Sequence, residues 1–124
     1  MAKSPGSARP PLVYLDDILT EISYLRRATA GLSFDQWIMS DDKRRAVERS
    51  LEIISEASRG IPEGDKTLHA NIPWRRVKDL GSVIRHAYFG IDSERLWEIV
   101  QKDLGELEAA ISSIRTRHSG QGEG

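Results

Sequence analysis

Apolar residues recur every three or four positions along most of this chain, and that periodicity constrains the fold more than any other feature. In the segment 11–30, for example, the apolar residues that share one helical face are Leu15, Ile18, Leu19, Ile22 and Leu25. Such spacing is typical of an amphipathic α-helix. Since no segment alternates apolar and polar residues as a half-buried strand does, the chain is predicted to be all-α.

Helix-capping residues and helix breakers indicate where each helix begins and ends. Ser33 and Gln36 form a capping box and predict a brief helix over 33–39. Gly60 ends the helix predicted over 41–59, and a polar loop is predicted to follow it over 61–71. The longer helices are predicted over 11–30, 41–59, 73–88 and 92–117, and Gly105 permits a bend in the last of them. Short connections between them favour an antiparallel bundle of four to five helices.

The chain's length of 124 residues fits one domain with short polar ends. Residues 1–10 and 119–124 are expected to be flexible tails, and residues 11–118 the helical domain. Because there is no cysteine, disulfides are excluded and a reducing compartment, the cytoplasm, is expected. No apolar run is long enough to cross a membrane. The net charge of −1 argues against nucleic-acid binding by bulk charge alone.

The helix predicted over 73–88 carries the residues with the most chemistry. Its polar face is formed by four residues at helical spacing, Arg75, Asp79, Ser82 and His86. Lys78 and Arg85 flank that face. An imidazole exchanges a proton near neutral pH and a guanidinium binds phosphate through paired hydrogen bonds, so these residue types suit cleavage or binding of RNA. The alternative is a solvated ion-pair surface with a histidine that the helix dipole favours.

No cofactor or metal site is indicated in the sequence. The three histidines, His69, His86 and His118, are scattered without the spacing of metal ligands, and no glycine-rich loop follows a strand. Arg49, in the helix predicted over 41–59, is a further candidate for RNA contact, because neighbouring turns of that helix carry charged residues that could face one groove.

Several short blocks of sequence stand in an order and spacing that is far more specific than any one residue. They are residues 14–19, 31–34, 46–57, 72–74, 86–92, 96–100 and 103–104. Through these blocks the chain resembles the HepT-like branch of the HEPN (higher eukaryotes and prokaryotes nucleotide-binding) superfamily, from about Tyr14 to Ile114. The resemblance implies an all-α, HEPN-like bundle that pairs into a homodimer, with the two motif helices meeting at a cleft.

The resemblance also implies an activity and partners. Proteins of this family act as toxin ribonucleases that cut RNA without a metal, and they are encoded beside a small nucleotidyltransferase antitoxin. In some members that partner attaches AMP to the motif tyrosine and silences the toxin. Carried over by motif, His86 is the catalytic histidine and Tyr88 is the modification target.

One position departs from the family motif, because Gly81, five residues before His86, stands where an arginine is usual. The hypothesis is that Arg85 binds phosphate instead. Ser82 and Asp79 would then orient His86 or the RNA. Further contacts to RNA are expected from Arg75, Lys78 and Arg49. Two alternatives remain: a catalytically degenerate module that binds RNA or a nucleotidyltransferase antitoxin without cleavage, and a structural dimer whose role is assembly only.

Overall fold

The computed structural model describes residues 9–86 and 92–123, with side chains to residue 120. All the regular structure in these ranges is helical, so the predicted all-α class is confirmed. The helices are α1 (Pro11–Thr29), α2 (Phe34–Ile38), α3 (Asp41–Ser58), α4 (Glu63–Leu68), α5 (Trp74–Arg85), α6 (Ser93–Glu98) and α7 (Leu104–Glu123). A π-helical turn, Ile99–Asp103, joins α6 to α7 without a break.

The core lies where the apolar stripes of α1, α3 and α7 meet. Helix α1 packs against both α3 and α7, and α3 also packs against α5. Most side chains of these stripes are nearly or fully buried: Leu15, Ile18, Ile22, Leu25, Val47, Leu51, Ile54, Leu104, Leu107, Ile111 and Ile114. Leu19, which was predicted to share the face of α1, is only half-buried. Helix α5 is different, because Val77, Leu80 and Ile84, which share one of its faces, are only half-buried. Among the described elements its principal neighbour is α3.

The π-helical turn keeps the apolar stripe of the last helical segment in line. Leu96, Val100 and Leu104 are all buried, yet they follow one another at intervals of four. In an α-helix two such steps would carry the stripe about 80° around the axis. A π turn has a wider backbone repeat and absorbs this drift. The departure from regular α-helix therefore lies just before Gly105, the residue at which the sequence permits a bend.

One additional helix and two helix ends differ from the sequence-based expectation. The predicted loop over 61–71 contains α4, which begins after Pro62 with acidic residues in its first turn, as a helix dipole favours. Helix α5 ends at Arg85 with His86 as its C-cap, and the predicted helical residues 87 and 88 lie outside the described residues. Helix α7 continues to Glu123, past the predicted end near Arg117.

A cluster of charged side chains ties α4 to the end of α7. Asp65 accepts hydrogen bonds from Arg117 Nη2 at 2.8 Å and from the His118 ring at 2.6 Å. The loop after α4 in turn holds the start of α5, because Trp74 Nε1 donates to the carbonyl oxygen of His69 at 3.0 Å. The C-terminal helix therefore helps to fix where the site-bearing helix α5 begins.

Replacing Asp65 by asparagine is expected to lower the free energy of unfolding by about 1–2 kcal/mol at neutral pH. Burial raises the pKa of Asp65, but hydrogen bonds and charges from His118 and Arg117 outweigh it, so the pKa lies below its usual value. A carboxyl with a lowered folded pKa contributes stability above its unfolded pKa of about 4, and loses it as the pH falls through the folded value. Urea unfolding at pH 7 and pH 3 measures this difference.

The matched control for that prediction is Asp16→Asn. Asp16 pairs with Arg115 between α1 and α7, but both side chains are far more exposed than Asp65. Loss of such an exposed pair should cost at most about 1 kcal/mol. A destabilisation by Asp65→Asn that is equally large at pH 3 would contradict the ionic origin of the effect.

Candidate active site

The polar stripe predicted for α5 faces solvent. Arg75, Asp79, Ser82 and His86 are all exposed, and Lys78 beside them is half-buried. The periodicity of the sequence placed these side chains correctly because α5 is a regular α-helix as far as Arg85.

His86 caps the C-terminus of α5, and its ring is oriented by Ser82. Its Nδ1 atom lies 3.0 Å from the Ser82 carbonyl oxygen and 3.5 Å from the Ser82 hydroxyl. A carbonyl oxygen only accepts hydrogen bonds, so the neutral ring carries its proton on Nδ1. The lone pair is then on Nε2, which is the form that a general base requires.

The side chain of Arg85 points in a different direction from that of its neighbour His86. Its side chain runs back along α5 over Gly81, and its Nη1 atom lies 3.9 Å from Glu52 Oε2 on α3. A β-carbon built on Gly81 would lie 3.2 Å from that same Nη1 atom. The predicted catalytic group is therefore divided within one chain: His86 and Ser82 are together, and Arg85 lies toward α3.

Arg85 and Arg49 line one cleft of about 230 Å³ between α1, α3 and the end of α5. Arg9 also lines it, with its guanidinium 5.0 Å from the centre of the Tyr14 ring. Arg9 pairs with Asp17, whereas Arg49 has no ion pair among residues 9–86 and 92–120. The structure thus brings together two arginines that the sequence assigned to different helices.

Glu52, in the wall of this cleft, is a residue that the sequence-based reasoning missed. Its side chain is only 16% exposed, although its position suggested helix surface. The only signal in the sequence was its place beside the buried Leu51, at the edge of the apolar stripe.

Gly81 lies at the closest approach of α3 and α5. Ser55 Oγ donates to the Lys78 carbonyl oxygen at 2.7 Å and accepts from the Gly81 backbone N–H at 2.9 Å. A β-carbon on Gly81 would lie 3.0 Å from Ser55 Oγ. Glycine fits this close contact without strain, whereas a larger residue would require Ser55 to shift by a few tenths of an ångström. The sequence had indicated only that the family arginine is missing at this position.

A second, larger groove of about 480 Å³ runs along the apolar side of α5. Its walls are mostly apolar and include Val77 and Leu80 of α5, with Ile99 and Leu107 opposite. Neither His86 nor Arg85 lines it. Val83, farther along α5, is 57% exposed. One side of the site-bearing helix is therefore apolar and only partly covered by the residues that the structure describes.

The remaining predictions from the sequence concern Tyr88, metal binding and membrane spans. Tyr88, the predicted modification target, lies outside the described residues. Among the side chains that the structure describes, no three histidine, aspartate or glutamate residues are grouped so that they could hold a metal ion. No helix in the described ranges is both long and apolar enough to span a bilayer.

The family model and the known proteins that match this chain agree on one family. A model described as "Ribonuclease HepT-like" matches residues 18–114. The "Probable ribonuclease HepT" of Thermococcus cleftensis is 37% identical over 102 residues, which cover 82% of this chain and 93% of that protein. A protein of Caldanaerobacter subterraneus is 33% identical over 86% of this chain and 95% of its own length. One of Methanocaldococcus jannaschii is 33% identical over 87% of this chain and 99% of its own length. The last two carry provisional RNase names. No solved structure matches the chain.

Proposed function

Because the chain belongs to the HepT-like ribonuclease family, we propose that it is a metal-independent ribonuclease that acts as the toxin of a toxin–antitoxin pair. The observation that carries the proposal is the family match over 18–114, which includes His86. The orientation of the His86 ring supports it, since Nδ1 is held by Ser82 and Nε2 is left to accept a proton.

The proposed chemistry needs only side chains and the RNA itself. RNA carries an internal nucleophile, the ribose 2′-OH, next to each phosphodiester. His86 Nε2 removes the 2′-OH proton as that oxygen attacks phosphorus, and the bond to the 5′ oxygen of the next nucleotide breaks. The leaving oxygen takes up a proton from an acid in the site or from water. Arg85 offsets charge on the phosphate, and Ser82 and Asp79 orient His86 or the RNA.

RNA is proposed to bind along the exposed side of α5 and into the neighbouring cleft. Arg75 and Lys78 supply positive charge on α5, and Arg49 supplies it from the cleft. In the described part of the chain no carboxylate oxygen lies within 4 Å of Arg49, although Asp17, Glu52 and Glu56 also line the cleft, so its guanidinium can still donate to a phosphate. Such contacts would go to phosphates and carry little sequence information.

We propose that the protein works as a homodimer. The apolar, half-covered side of α5 and the groove beside it support this, because an exposed apolar face of that kind is typical of an interface. A two-fold pair would also bring two polar stripes together and concentrate their cations despite the near-neutral charge of the chain.

The remaining partners follow from the family resemblance. A nucleotidyltransferase-type antitoxin is proposed as the protein partner, with Tyr88 as the residue to which it attaches AMP. A cytoplasmic location is proposed as well, and the absence of cysteine from the sequence supports it.

A second function is favoured by one observation, the glycine at position 81. If the family arginine is essential, the chain is a degenerate module that binds RNA or the antitoxin without cleavage. The position of Arg85 over Gly81 argues for the active form, because a guanidinium is present next to the place from which the motif side chain would start.

The test is cleavage of a mixed-sequence RNA by the purified protein in excess EDTA. We expect cleavage of RNA with products that end in a 2′,3′-cyclic phosphate, and none of the matching DNA, because DNA has no 2′-OH. RNA that stays intact over long incubation, or cleavage that EDTA abolishes, would contradict the proposal.

A further inference from the structure

Glu52 is a largely buried carboxylate that the proposed chemistry leaves without a task. Its side chain is 16% exposed and lies in the wall of the cleft that also holds Arg49 and Arg85. A carboxylate removed from water is costly unless a cation or hydrogen-bond donor compensates it. Its ion pair with Arg85 supplies that compensation.

The side chain of Arg85 is folded back although it has room to extend into solvent. Arg85 is the last residue of α5, and its side chain is 47% exposed, so extended rotamers into solvent are open to it. Instead the side chain folds back toward α3 and lies against Gly81, where a β-carbon would come within 3.2 Å of its Nη1 atom. Its ion-pair partner there is the carboxylate of Glu52.

The contact is an ion pair without a tight hydrogen bond. The Nη1 to Oε2 distance of 3.9 Å exceeds the range of a direct hydrogen bond. The guanidinium has five N–H donors, so most of them stay available to a phosphate in the cleft. Arg85 is thus oriented by Glu52 and still able to bind an anion.

We propose that Glu52 is a positioning residue, whose carboxylate holds the guanidinium of Arg85 across Gly81 and presents it in the cleft beside Arg49 to a phosphate of the RNA. This inference rests on the proposed ribonuclease function and adds to it a residue on α3 that sets the geometry of the phosphate contact.

A positioning role for Glu52 and a purely electrostatic role predict different effects on kcat when Glu52 is replaced by a neutral residue. Removal of a negative charge from a cleft with arginines strengthens its attraction for a polyanion, so electrostatics alone would leave kcat unchanged and lower KM. If Glu52 positions Arg85, the neutral side chain releases the guanidinium and kcat falls, because a misplaced group no longer stabilises the transition state.

The experiment is the steady-state cleavage of a mixed-sequence RNA by Glu52→Gln, Arg85→Ala and the double variant, with thermal unfolding of each. We expect Glu52→Gln to lower kcat about tenfold with KM unchanged or lower. In the Arg85→Ala background the same change should have no further effect on kcat, since there is no guanidinium left to position. Glu52→Asp keeps the charge but is one methylene shorter, and should also lower kcat.

The matched control is Glu108→Gln. Glu108 forms another ion pair between helices, with Arg26, and lies outside the cleft. Its loss removes the same charge and should leave kcat unchanged.

Three results would overturn the role of Glu52 alone: wild-type kcat in Glu52→Gln, wild-type kcat in Glu52→Asp should the glutamine variant not fold, or an equal drop with and without Arg85. If the wild-type protein cleaves no RNA, the ribonuclease proposal fails and this inference falls with it.

Discussion

Replacement of His86 by alanine is expected to lower the rate of RNA cleavage by about 10²–10⁴-fold, the usual contribution of a general acid or base. No other described side chain offers a ring nitrogen on this side of α5, since His69 and His118 belong to the cluster around Asp65. The fold should hardly change, because His86 is exposed and its ring contacts only Ser82 among the hydrogen bonds of the described residues.

The measurement is single-turnover cleavage of RNA in EDTA by the wild-type protein and the variant, with thermal unfolding to confirm that both are folded. His69→Ala is the matched control, because it removes an imidazole whose ring contacts Arg117 instead of the polar stripe of α5. We expect that control to retain cleavage. Equal rates for His86→Ala and the wild type would remove His86 from the mechanism.

Introduction of an arginine at Gly81 is expected to destabilise the protein by about 2–4 kcal/mol, not to improve the site. The new β-carbon would lie 3.0 Å from Ser55 Oγ, which also bonds the Gly81 N–H and the Lys78 carbonyl oxygen. Ser55 is buried and must shift by a few tenths of an ångström to make room, which strains both of its hydrogen bonds. The flexible end of Arg85 would be displaced as well, which should lower cleavage further.

Urea unfolding and RNA cleavage of Gly81→Arg test both parts of that expectation. Gly105→Arg is the matched control, because Gly105 is also helical but a β-carbon there meets no atom within 4 Å. Its replacement should be neutral or stabilise by up to about 1 kcal/mol. A gain of cleavage by Gly81→Arg would contradict our assignment of Arg85 and favour the degenerate module.

The helical periodicity of the sequence was sufficient to predict the α-class, the buried stripes of α1, α3 and α7 and the exposed stripe of α5. Each depends only on the repeat of a single helix. Helix α4 was missed because it has six residues and none of them is buried, so it has no apolar stripe to detect. The half-buried state of Val77 and Leu80 depends on which helices pack against α5, and no single-helix pattern contains that information.

The geometry of the candidate site was also predictable from the sequence only where it depends on a single helix. The relation of His86 to Ser82 follows from their spacing of four within a helix. The cleft of Arg49, Glu52 and Arg85 depends on where α3 crosses α5, and that crossing is set by Ser55 and Gly81 from distant parts of the sequence. Gly81, where the family motif has an arginine, also lies at this helix contact, next to Ser55 and the end of the Arg85 side chain.

The π turn between α6 and α7 marks a place where the chain could lose one residue. It holds one residue more than a regular α-helix would need to connect the same two buried faces. If a residue such as Gln101 or Lys102, both exposed, were deleted, Val100 and Leu104 would come three apart and the apolar stripe would fit a continuous α-helix. The turn therefore marks a place where a single-residue deletion leaves the core aligned, whereas an equal deletion within α1 or α3 would rotate half of a buried stripe by about 100° into solvent.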